Sequence, residues 1–146
     1  MAGQPVNWGT MAHDHDMYAL LADIAAQQRD AAALRQYAPR AEQLAMRDGH
    51  RLYLAIAYRA WGVATRLAGE YGEAEAQLNL ALELFEQMGA RWQAGRTLVE
   101  MGELALARSN AGAARTCFLQ ALAAFEEMQA VRDIERTQAA LRDLAP

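Results

Sequence analysis

At 146 residues, 53% of them hydrophobic and 22% charged, the chain is the size of one folded domain able to bury most of its apolar surface. A net charge of −4 gives no footprint for nucleic acid or an anionic membrane surface, the single cysteine, Cys117, excludes an intramolecular disulfide framework, and no apolar run is long enough to cross a bilayer. The basic residues are all arginine and Ser109 is the only serine, so a Walker-type phosphate loop, a Schiff-base lysine and a Ser/Lys pair are excluded. The first ten residues lack the charged start and apolar centre of a signal peptide, and a cytoplasmic protein is expected.

Residues 1–11 place Gly3, Pro5, Asn7 and Gly9 around one apolar residue, Trp8, and show no period, so they read as a flexible tail. From Ala12 onward Met17, Leu20, Leu21 and Ile24 recur at the three-and-four spacing of one apolar face, which predicts a first helix ending near Gln28. After a turn at Arg29 and Asp30, a second helix runs from about Ala31 to Asp48, with Gly49 as its left-handed cap and Pro39 as an expected kink or restart. Further helices are predicted over His50 to Ala68, Tyr71 to Met88, Arg91 to Arg108, Ala111 to Met128 and Val131 to Leu144, with Gly69 and Gly89 ending the first two of these. The last is polar over much of its surface, as a terminal cap should be.

The chain repeats itself. Gly62, Gly72, Ala74, Ala81, Leu82, Phe85, Glu86, Met88 and Ala90 return forty residues later as Gly102, Gly112, Ala114, Ala121, Leu122, Phe125, Glu126, Met128 and Ala130. Such a period means stacked supersecondary units. Glycine costs about 1 kcal/mol relative to alanine in a helix interior, so Gly62 and Gly102 imply close packing. Ala74, Leu78 and Ala81 in one unit, and Ala114, Phe118 and Ala121 in the next, lay small, large and small residues along one helix face. An earlier, weaker unit has Ala22, Leu34, Ala38 and Ala41 at the matching places.

This pattern resembles the tetratricopeptide repeat (TPR) family, at a longer period than its usual thirty-four residues. The wording from Phe85 to Trp92 is similar to the long repeats of large bacterial signalling ATPases and transcriptional activators. The resemblance implies an all-α, TPR-like right-handed superhelix of three antiparallel helix pairs, with units at about 12–49, 50–89 and 90–130, plus a C-terminal capping helix over 131–144. It also implies a non-catalytic scaffold that binds a protein or peptide on its concave face and needs no cofactor. A regulatory sensor module of a larger ATPase or activator is the alternative.

In that family the first helices of the pairs line the groove. Carried onto this sequence, the lining residues become Asp23 in the first unit, Arg59, Val63 and Arg66 in the second, and Arg96, Val99 and Glu103 in the third. Three arginines there would suit an acidic peptide or the terminal carboxylate of another protein. The plainer expectation is that they pair with Asp23, Glu100 and Glu103 as a groove wall. His13, Asp14, His15 and Asp16 resemble metal ligands, and a metal-assisted hydrolase is the third reading, but residues two apart on a helix face different ways and capping by Asp14 or Asp16 is the commoner use. Cys117 has no assignable base and reads as a small buried apolar residue, His50 as structural, and Trp61 and Trp92 as packing between units. Trp8 reads as a tail residue that would dock, if at all, in a groove of its own or another copy. A first unit with no polar cap before it also suggests association between copies.

Overall fold

A computed structural model describes the backbone of residues 4–144 and the side chains of residues 16–144. The protein is all-α, and its described residues form seven helices: α1 (Gln4–Gln27), α2 (Ala31–Asp48), α3 (Arg51–Leu67), α4 (Tyr71–Gln87), α5 (Arg91–Ala107), α6 (Ala111–Glu127) and α7 (Val131–Asp143). None of these is long and apolar enough to cross a membrane.

The turns explain the period. Each contains a residue with left-handed backbone, at Arg29, Gly49, Gly69, Gly89, Ser109 and Gln129, so the left-handed positions fall every twenty residues. The next N–H in each turn bonds the carbonyl five residues back: Asp30 to Ala25, His50 to Ala45, Glu70 to Thr65, Ala90 to Phe85, Asn110 to Ala105 and Ala130 to Phe125. This closes the C-terminus of one helix with otherwise unpaired carbonyls satisfied. Asp30 and Asn110 then open the following helix by accepting from the N–H groups of Ala33 and Ala113 at 3.1 and 3.0 Å. His50 does the same through Nδ1 toward Tyr53 N–H at 3.4 Å, with its ring stacked on Tyr53. A Cβ at Gly69 would meet no atom within 4 Å, so Gly69→Ala isolates the backbone cost. It is expected to lower stability by about 1–2 kcal/mol, read from the urea midpoint; an unchanged midpoint would mean that the turn relaxes.

Consecutive helices fold back on one another as hairpins α1–α2, α3–α4 and α5–α6, and each pair packs on the next through α2 on α3, α4 on α5 and α6 on α7. The first helices also touch, α1 against α3 and α3 against α5. Ala74, Leu78, Ala81 and Phe85 of α4, and Ala114, Phe118, Ala121 and Phe125 of α6, are all buried, which is the small–large face read from the repeat. Their partners are the helix-interior glycines. A Cβ on Gly62 would lie 2.5 Å from the Leu78 side chain, one on Gly95 would lie 2.7 Å from the Phe125 ring, and one on Gly102 would overlap the Phe118 ring. The first unit uses smaller pieces, with Ala22, Ala25, Ala38 and Ala41 clustered around Leu34, and Ala57, Ala60, Val63 and Ala64 of α3 completing the same cluster from the second unit.

Three expectations change. Helix α1 already runs from Gln4, the first described residue, rather than from Ala12, which leaves Asp14 and Asp16 inside it and away from its start; Trp8, His13, Asp14 and His15 lie outside the described side chains. Helix α2 continues through Pro39 without a restart there. Met17, Leu20 and Ile24 are not the packed face of α1: they are 48%, 60% and 40% exposed, while Ala19, Ala22, Ala25 and Ala26 turn inward. Alanine lets α1 approach α2 and α3 closely, so the small residues take the core side.

Candidate functional site

Two acidic residues tie the first helices together. Asp23 on α1 accepts from Arg59 of α3 at 3.2 Å and from Arg96 of α5 at 2.8 and 3.2 Å, and Gln27 donates to its second oxygen at 3.2 Å. Arg59 is only 2% exposed; it also donates to the Gln93 carbonyl at 3.2 Å and Thr97 Oγ1 at 3.4 Å and lies over the Phe85 ring. Arg96 stacks over Trp92. One turn of α5 beyond Arg96, Glu100 accepts from Arg29 at 2.9 Å and stands 3.7 Å from Arg66. Every carboxylate in these rows thus bridges different helices.

Burial raises the pKa of Asp23, but the charges of Arg59 and Arg96 and their hydrogen bonds outweigh it and hold the carboxyl below its ordinary value. Burial, aided by the charge of Arg96, pulls Arg59 down to about 10, against the opposing pull of Asp23 and Glu100. Both groups remain ionised at neutral pH. Arg66 Nε and Nη2 and Glu100 Oε1 are buried without a hydrogen-bond partner among the described residues, since 3.7 Å is within ion-pair range but too long for a hydrogen bond.

Beside these rows lies an open cleft of about 410 Å³, walled by α5 and α7 and edged by the end of α1 and its turn. Of the residues proposed from sequence, Arg96, Val99 and Glu103 line it. Arg59 and Val63 do not: α3 is flanked by α1 and α5, which close over its inner face, and Val63 is fully buried in the core. Arg66 and Asp23 belong to the ionic rows, in which Asp23 pairs with Arg59 and Arg96, and Glu100 with Arg66. The cleft also contains Gln27, Arg29, Glu100 and Phe125, and from α7 Asp133, Arg136, Thr137 and Ala140. The α7 residues were not foreseen, because that helix read only as a cap. Counting forty onward from Arg96, Thr97 and Glu100 would have reached Arg136, Thr137 and Ala140.

No protein-family model, curated protein or solved structure matches this sequence. Among the described residues no three His, Cys, Asp or Glu side chains converge as metal ligands. Cys117 is half-buried, and burial pushes its thiol pKa up, away from thiolate nucleophile character. Trp61 and Trp92 serve as links between helices: Trp61 Nε1 donates to Glu42 of α2 at 2.8 Å, and Trp92 Nε1 to Asp133 of α7 at 2.9 Å.

Proposed function

We propose that this protein is a non-catalytic scaffold with a TPR-like superhelical stack of helix pairs, and that it binds a peptide segment of a protein partner in the cleft between α5 and α7. The observation that carries this reading is the cleft itself, an open trough with apolar Val99, Phe125 and Ala140 beside Arg29, Arg136, Glu103 and Asp133. A peptide presents apolar side chains and both donors and acceptors along its backbone, and such a mixed wall can meet all three. An acidic ligand would have to compete with Asp23 and Glu100 for the arginines, so a peptide of mixed polarity fits better than a strongly acidic one.

Selection from a displayed library of random peptides tests this. Enriched sequences are expected to bind the parent protein and to lose at least about tenfold in affinity, roughly 1.4 kcal/mol, for Val99→Glu with Arg136→Glu. Both positions are at the cleft and outside the ionic rows. Peptides that bind parent and variant equally would place recognition elsewhere on the surface.

A further inference from the structure

Independently of what the cleft binds, Met17, Leu20 and Ile24 form a stripe on the outer face of α1, spaced three and four residues apart as neighbours on one helix side. Among the described residues Leu80 on α4, Leu106 on α5 and Leu119 on α6 are exposed with no other exposed large apolar residue three or four positions away on the same helix, and single exposed residues are ordinary. The forty-residue period says what this stripe is. Met17, Leu20 and Ile24 correspond to Ala57, Ala60 and Ala64 of α3, which are buried in the cluster where α3 packs on α1 and α2. The stripe is thus the continuation, on α1, of the surface that α3 uses to dock onto a preceding helix pair, and among the described residues no helix covers it.

We infer that a second copy of this protein covers the stripe, with α1 packed on α1 about a two-fold axis near Leu20. Charge favours this occupant. From Met17 to Gln28 the exposed residues are Met17, Leu20, Ile24, Gln27 and Gln28, so the face carries no charge. A two-fold contact sets a surface against itself, and a charged surface would repel its own copy whereas this one does not. The head-to-tail alternative would set the stripe against α7, whose Arg132, Glu135, Arg136 and Arg142 are exposed. Burying the stripe there would strip water from those charges without a partner for them. Pairing through α1 puts two clefts in one assembly, so a partner with two binding segments would gain from bivalence.

Sedimentation equilibrium of the 146-residue protein over a range of concentrations tests the inference. The parent is expected to weigh twice its 16.1 kDa at high concentration, and Leu20→Glu with Ile24→Glu to weaken association by about a hundredfold or more. Both substitutions are at exposed positions, and unchanged helical circular dichroism and melting of the dilute variant would show that it folds. Leu119→Glu, a control at a single exposed leucine, should associate like the parent. In a Cys117→Ser background, Leu20→Cys is expected to give a covalent dimer on mild oxidation, since a two-fold axis near Leu20 brings that position against its own copy. A parent that stays monomeric at all concentrations would overturn the proposal and leave the stripe to a partner of different sequence. Association unchanged by the paired glutamates would overturn it as well, and species growing beyond two copies, with no cross-link at Leu20, would establish head-to-tail stacking instead.

Discussion

Replacing Asp23 by alanine is expected to cost about 3–5 kcal/mol of stability, the usual consequence of removing one partner from a buried ionic cluster. Two arginines lose their shared acceptor, and one of them, Arg59, is 2% exposed and cannot reach water. Against a total of about 5–15 kcal/mol for a domain, that loss is large. At a slope of about 2 kcal/mol per molar urea the midpoint would fall by roughly 2 M. Arg59→Met should do much less harm, because Asp23 keeps Arg96 and the methionine side group still covers Phe85. A loss under about 1 kcal/mol for Asp23→Ala would mean that water already screens the row.

The same group sets an acid limit. Because the folded state holds the Asp23 carboxyl below its ordinary value, the folded protein binds this proton less readily than the unfolded state does. The stabilisation is complete above the unfolded carboxylate value of about 4 and drains away as pH falls through the lower folded value. Between neutral pH and pH 2.5 the parent should therefore lose more melting temperature than Asp23→Asn, which has no proton to gain at that position. Equal losses in the two would contradict the lowered value.

Shortening Phe118 to alanine is expected to cost about 3–5 kcal/mol, since its ring is fully buried and fills the space left by Gly102. Gly102→Ala alone drives a methyl group into that ring and should cost about 1–3 kcal/mol despite the better helix propensity of alanine. Made together, the two changes reproduce the pairing of the first unit, where Ala22 and Ala38 occupy the corresponding places and are both fully buried. The double variant should therefore be more stable than the sum of the single losses predicts, by about 0.5–3 kcal/mol in a double-mutant cycle. Strict additivity would mean that the glycine and the ring do not share one space.

That pair shows why so much of the architecture could be read beforehand. Gly62, Gly102, Leu78 and Phe118 repeat at fixed spacing, and the turns repeat with them, because each unit solves the same local problem of closing a helix end and crossing a neighbour at short range. Helix ends, left-handed turn positions and the small–large alternation depend on residues within a few positions of one another, so they leave their mark directly in the order of amino acids. Even Gly49, and the turn through Arg29 and Asp30, could be placed from that order alone.

The site was less legible. Val63 and Arg59 sit at inward-facing register, yet whether such a position lines a groove or is sealed depends on how closely α1 and α5 flank α3, and that spacing is set by alanines on other helices. Asp23 and Arg96 lie seventy-three residues apart, and their bond exists because the stack brings α1 and α5 to either side of one buried guanidinium. On α1 the large apolar residues have the stronger periodicity, but close helix approach favours the smaller ones, so the core took the alanines and left Met17, Leu20 and Ile24 outside. Helix type and period are local properties and were encoded in neighbouring residues, and the repeat register even brought Asp23 and Glu100 to the arginines as partners; the depth of burial and the extra wall supplied by α7 arise from distances between units, and no local pattern carries them.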